Sequence, residues 1–123
     1  MYALVVDDSK TIRILLREQL KKLGFEVTEA VDGHQALNRL KNMPQVDLVL
    51  VDWNMPEMDG ISFVRAVRAE SGYATLPMMM VTTNAELSQV SKALEAGVDE
   101  YIMKPFTTEI LREKLQLLGF LQG

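Results

Sequence analysis

The chain contains no cysteine and a single histidine. The first absence excludes disulfides and thiolate-held metals, and leaves the redox compartment undetermined. His34 has no metal-ligand partner near it in sequence, so it reads as a solvated surface residue and not as a phosphotransfer histidine. Basic residues are in deficit: 13 Lys and Arg against 17 Asp and Glu leave a net charge of −4. Nucleic-acid binding needs cations clustered to neutralise phosphates, so that class of partner is excluded. No apolar run reaches membrane-spanning length, and the opening MYALVVDDSK is interrupted by acids too early to be a signal peptide. The expectation is a soluble, cytoplasmic protein without nucleic acid or membrane among its partners.

What is present suits one domain. The 123 residues are 48% apolar, enough for a core that needs no staple, and no linker, repeat or low-complexity stretch divides them. Short apolar runs alternate with amphipathic helical patterns five times, the signature of βαβ units around a parallel sheet. Ile12, Leu15, Leu16, Leu20 and Leu23 share a helical face, with Ser9 as N-cap and Gly24 as stop. Residues 25–30 give a second strand, and Ala36, Leu37, Leu40 and Met43 a second helix ended by Pro44. The run 48–51 is apolar throughout, as expected of a central strand covered on both faces. A helix over about 62–70, a strand over 78–81 and a helix over about 86–96 follow, the last stopped by Gly97. Tyr101 and Ile102 mark the fifth strand, and a helix from about Thr107 turns Ile110, Leu111, Leu115 and Leu118 inward. The fold class expected is α/β, a flavodoxin-like (βα)5 doubly wound parallel sheet of strand order 2-1-3-4-5. The chain ends soon after helix 5, so the expectation is one domain over 1–123 with no output domain, acting through its own surface. Phe120 and Leu121 read as a tail folded back on the core.

Chemistry concentrates where the apolar runs stop. Asp7 and Asp8 follow YALVV, Asp52 follows LVLV, Thr82 follows MMMV and Lys104 follows YIM. In open parallel sheets ligands bind beyond the carboxyl ends of the strands, so these side chains can converge. Carboxylates packed together repel, and a hard divalent cation with oxygen ligands is the usual remedy; Mg2+ is the natural guest and commonly shares its shell with phosphate oxygens. A carboxylate can then serve as nucleophile, with an amine and a hydroxyl on the phosphoryl oxygens. Asp52, on the central strand, is the expected nucleophile, assisted by Lys104 and Thr82.

The ordered set Asp7-Asp8, VDWNMPEMDG over 51–60, VTTNA over 81–85 and YIMKPF over 101–106 resembles the response-regulator receiver family along the whole chain. The likeness is greatest to its single-domain chemotaxis regulators, themselves a standard example of the 2-1-3-4-5 order. The resemblance implies a phosphoacceptor of a two-component phosphorelay, a signalling protein and not a turnover enzyme, with Asp52 phosphorylated by a sensor histidine kinase. It implies Mg2+ held by Asp8, Asp52 and the Asn54 carbonyl, with Asp7 acting through water. Thr82 and Tyr101 would switch together, altering a helix 4, strand 5, helix 5 face that binds a downstream protein. Asn54 and Asn84 occupy positions that tune dephosphorylation, Thr83 stands where many relatives have alanine or glycine, and Lys104-Pro105 corresponds to the family's cis peptide. A phosphatase is a further implied partner, and a monomer the implied state.

Other readings remain open on residues alone. Asp8 or Ser9 could simply cap a helix. Tyr101 could be ordinary strand core, Met78, Met79 and Met80 fit as gap-filling core, and Trp53 as packing beside the site. A Mg2+-dependent aspartate-nucleophile phosphohydrolase of the haloacid dehalogenase kind would use similar groups, although Asn54 stands where such enzymes carry a second acid and no cap insertion is present. A phosphorelay adaptor outside chemotaxis, or an interaction module with a decayed site, would keep the same fold. A dinucleotide site lacks its glycine fingerprint, since the turn after strand 1 reads DDSKT.

Overall fold

The structure, a computed structural model, describes residues 1–83 and 89–121. Its elements alternate: β1 (Tyr2–Val6), α1 (Lys10–Lys22), β2 (Glu26–Ala30), α2 (Gly33–Asn42), β3 (Leu48–Asp52), α3 (Gly60–Ala69), β4 (Met78–Thr82), α4 (Val90–Ala96), β5 (Glu100–Met103) and α5 (Thr108–Leu117). All strand pairs are parallel and the order is β2-β1-β3-β4-β5, as expected from the sequence. The register aligns Val6 with Val51, Asp52 with Val81 and Thr82 with Met103, so the carboxyl ends of the central strands finish side by side.

Alternation along each strand divides the core into two layers. Leu4, Val6, Val49, Val51, Met78 and Met80 pack with Ala36, Leu40, Phe63, Val64, Val67 and Ala93 of α2, α3 and α4. Ala3, Val5, Leu48, Leu50, Met79, Val81 and Ile102 pack with Leu16, Leu20, Leu111 and Leu115 of α1 and α5. Helices therefore cover both faces, which is why β3 and β4 are buried at every residue and carry no polar side chain until their last position. The three methionines are core, as their thioethers suggested. The tail also behaves as expected: Phe120 meets Phe25 edge to face at 5.5 Å between ring centroids.

Several boundaries and faces differ from the sequence reading. Leu15 is 44% exposed and Ile110 40% exposed, so neither faces inward. Neighbouring residues on a helix lie about 100° apart, and Leu16 and Leu111 set the stripe, leaving Leu15 and Ile110 at its margin while Gln19 takes a buried place. Helix α3 begins two residues before Ser62 because Asp59 caps it, accepting from the Ser62 N–H at 2.8 Å. The expected start of helix 4 near Glu86 lies outside the described residues, as does Asn84; α4 is described from Val90 and ends at Gly97, whose φ of 118° is left-handed.

Candidate functional site

Each site residue is delivered by a strand end. Asp7 follows β1 directly, Asp52 and Thr82 are the last residues of β3 and β4, and Lys104 follows β5. The structure brings Asp7, Asp8, Asp52 and Lys104 together, with Thr82 at the end of the adjoining strand. Lys104 Nζ donates to Asp52 Oδ1 at 3.1 Å and to Asp7 Oδ2 at 3.4 Å. Carboxylate oxygens of Asp7, Asp8 and Asp52 all lie within 4.8 Å of one another. Asp7 and Asp52 are buried whereas Asp8 is exposed, so the cluster opens to solvent on one side. The Lys104-Pro105 peptide is cis.

The electrostatics are unbalanced. Burial, then the neighbouring Asp7 charge, pushes the Asp52 carboxyl up to about 6, against the downward pull of Lys104. Burial likewise raises Asp7, although the Ser9 N–H bond and Lys104 oppose it. One ammonium is shared between two buried acids, with a third acid beside them. The Thr82 hydroxyl is fully buried, and its Oγ1 has no hydrogen-bond partner among the described residues. An unmet buried hydroxyl costs about 1–3 kcal/mol, so the end of β4, next to the surplus negative charge at the end of β3, carries a donor left idle by the described residues.

The donor set fits a hard cation. It consists of carboxylate oxygens without nitrogen or sulfur, close enough to share one ion, with an open side for the waters that Mg2+ retains. Asn54 is exposed in the loop two residues past Asp52, and Thr83 is exposed one residue past Thr82.

Two supporting residues, Gly60 and Arg13, carried no assigned role in the sequence reading, and Ser9 does more than the N-capping expected of it. Gly60 donates its N–H to the Trp53 carbonyl at 3.0 Å, and a Cβ there would come within 2.5 Å of the Asp52 carbonyl oxygen. Only glycine lets the start of α3 approach the Asp52 backbone so closely. Gly60 closes the VDWNMPEMDG run, so the signal was in view without its reason. Before it, the Met58 N–H reaches the Pro56 carbonyl at 2.7 Å around Glu57, whose φ is 67°, a tight turn that brings the chain back toward Trp53. Ser9 both caps α1, accepting from the Ile12 N–H, and donates its own N–H to Asp7 Oδ1 at 2.8 Å. Arg13 donates to the Asp7 carbonyl at 2.7 Å, a contact between a helix and a loop that no motif announces.

Of the remaining sequence candidates, Trp53 is buried in the layer beneath α2 and α3, and His34 is exposed. Tyr101 is half-buried, with the Lys114 ammonium 4.3 Å from its ring centroid. Lys114 also pairs with Glu100 at 3.0 Å.

The arrangement has close relatives. A model of the response regulator receiver domain matches residues 3–116. The chain is 43% identical over 119 residues to the chemotaxis protein CheY1 of Helicobacter pylori, covering 96% of each. It is 46% identical over 117 residues to a chemotaxis protein CheY homolog of Campylobacter jejuni, covering 94% of this chain and 90% of that one. Among solved structures, the chemotaxis response regulator CheY4 of Vibrio cholerae superposes with a TM-score of 0.88 at 36% identity, covering 95% and 97% of the two chains.

Proposed function

This chain belongs to the response regulator receiver domain family, whose members are phosphoacceptor switches of two-component signalling, and we propose that Asp52 is its acceptor residue and chemotaxis its pathway. The observation that carries the assignment of Asp52 is its position. It ends the central strand, is buried, touches Lys104 and shares a 4.8 Å cluster with Asp7 and Asp8.

The chemistry follows from those neighbours. An Asp52 carboxylate oxygen attacks the phosphorus of a phosphohistidine on a sensor kinase; the new O–P bond forms as the P–N bond breaks, and the imidazole leaves with the electron pair. Asp7, Asp8 and Asp52, with the Asn54 carbonyl, would hold Mg2+, which supplies the positive charge that three acids and a phosphoryl group require. Lys104 already lies 3.1 Å from Asp52 and can transfer one of its bonds to a phosphoryl oxygen. Thr82 Oγ1, which bonds nothing among the described residues, would donate to another oxygen, so phosphorylation satisfies a hydroxyl that those residues leave idle. Asn54 and Thr83, both exposed beside the ends of β3 and β4, border the path of the donor and of hydrolytic water; Asn84, assigned the same tuning role by its place in sequence, lies outside the described residues.

Output is assigned to the surface of α4, β5 and α5, where Tyr101, Lys114 and Glu100 form one cluster and Met103 and Ile110 are exposed. A downstream protein, and a phosphatase to reset the switch, complete the partners of what we read as a monomeric, cytoplasmic regulator. No helix among the described residues is long and apolar enough to cross a membrane.

The test uses Trp53, the single tryptophan, adjacent to Asp52. Its fluorescence is titrated with Mg2+, then with acetyl phosphate or beryllofluoride, and the acetyl phosphate product is digested for mass spectrometry. Two saturable changes and one phosphoryl group on the peptide containing Asp52 are expected. No response to either ligand, or an Asp52→Asn variant labelled like the native chain, would refute the assignment.

A further inference from the structure

The peptide joining Asp7 to Asp8 lies beyond the end of β1, where the sheet no longer dictates its orientation. The Asp7 N–H still reaches across to the Ala30 carbonyl at 3.1 Å, but the Asp7 carbonyl is taken by the Arg13 guanidinium at 2.7 Å. That is a short, charge-assisted bond. Arg13 is held in turn: its Nε donates to Glu29 Oε1 at 3.3 Å, and the other oxygen of Glu29 accepts from Arg17 at 2.9 Å. The Arg13 side chain is 13% exposed, so solvent does not readily replace these contacts. A guanidinium presents its donors in a rigid fork, and here one branch is fixed by β2 while another fixes the loop.

Asp8 makes this orientation matter. Asp7 is pinned by its own bonds to Ser9 and Lys104, and Asp52 by its strand and Lys104. Asp8 is the exposed member of the cluster, and the plane of the preceding peptide sets the direction in which its side chain leaves the backbone.

We propose that Arg13 is a positioning residue of the cation site, holding the Asp7 carbonyl so that the Asp8 carboxylate points at a shared metal ion. The inference rests on the Mg2+ reading above. Groups that orient metal ligands typically change affinity by about 10–100-fold when removed. Arg17 supplies the control, because it binds the same glutamate without touching the loop.

The experiment is a Mg2+ titration of the native, Arg13→Met, Arg13→Lys and Arg17→Met chains by Trp53 fluorescence and calorimetry. Circular dichroism and urea unfolding without metal accompany it. Arg13→Met is expected to raise the Mg2+ Kd about tenfold. Arg17→Met loses comparable metal-free stability yet keeps a Kd within about twofold, and Arg13→Lys, which retains a cationic donor, stays within about threefold. A native-like Kd in Arg13→Met overturns the inference, as does equal weakening in Arg17→Met. If Arg13→Met does not fold, Arg13→Gln, which is shorter and uncharged, takes its place: a Kd raised about fivefold or more above that of Arg17→Met supports the role, and a Kd equal to it removes the role. A native chain that shows no Mg2+ saturation overturns the cation site itself, and this inference with it.

Discussion

Asp52 and Asp99 stand at opposite poles of the same sheet, and each meets a cation at about the same distance: Lys104 at 3.1 Å and Arg68 at 3.0 Å. Their surroundings differ. Asp99 Oδ2 also accepts the Met78 N–H at 2.9 Å, while Arg68 donates to the Gly97 carbonyl at 3.0 and 2.7 Å and to the Tyr73 carbonyl at 2.8 Å. That pole is saturated: one guanidinium ties the end of α3, the loop before β4 and the turn before β5. At the other pole one ammonium serves two buried acids, a third acid adds charge, and the Thr82 hydroxyl bonds nothing among the described residues. The function proposed uses the end left incomplete. Cavity size alone would mislead, since a concavity of about 660 Å3 at the saturated pole is lined by Pro44, Tyr73, Leu76 and Phe120 with Asp47 as its one charged residue. The Asp47 carboxylate is already engaged by the Tyr2 N–H at 2.8 Å.

The contrast is most severely tested by removing the structural cation. Arg68→Met leaves two carbonyls without their donor and takes one of the two that Asp99 has, and should cost about 2–3 kcal/mol in urea unfolding. The loss should be the same with and without Mg2+. A loss that Mg2+ restores would erase the distinction between the poles.

Removing the acid at the incomplete pole should do the opposite. Asp52→Asn deletes one of three mutually repelling charges while its amide oxygen can still accept from Lys104. Metal-free stability at pH 7.5 is expected to rise by about 2 kcal/mol, and the gain that Mg2+ gives the native chain by binding its folded state should largely vanish. Asp8→Asn should abolish most of that Mg2+ gain as well.

The pH dependence carries the same sign. An acid whose folded pKa lies above its unfolded value binds more protons folded than unfolded between the two. Stability therefore falls as pH rises from about 4 through 6, then levels. The metal-free native chain should unfold at higher urea concentration at pH 5 than at pH 7.5. Asp52→Asn should flatten much of that difference, and an unchanged slope would show that Asp52 titrates normally.

The fold was legible because period and punctuation agreed. Continuous apolar runs at 48–51 and 78–81 mark strands buried on both faces, and Gly24, Pro44 and Gly97 mark stops that the structure keeps. The convergence of Asp7, Asp8, Asp52 and Lys104 was legible as well, since topology alone places strand ends together. What escaped depends on rotation and on close approach. Leu15 and Ile110 are apolar and nearly in phase with their stripes, and only the packed helix angle decides which margin is wet. Gly60 and Arg13 act on backbone carbonyls of residues 8 and 6 positions away, and hydropathy carries no trace of such contacts.

Thr82 offers the smallest effect and the finest division between stability and function. Its Oγ1 is buried without a partner among the described residues, so there the resting protein bears the desolvation of a hydroxyl that returns nothing. Thr82→Val keeps the shape and removes that group. The resting, metal-free chain should gain about 1 kcal/mol in urea unfolding, against the usual penalty of a core substitution. The same variant should weaken beryllofluoride binding in the presence of Mg2+ by about tenfold, because the hydroxyl is then no longer available to a phosphoryl oxygen. A loss of resting stability would mean that the hydroxyl already has a partner, and tight beryllofluoride binding would mean that it never acquires one. The combination expected, firmer at rest and poorer at holding the phosphoryl mimic, is what a group kept for its second state must show.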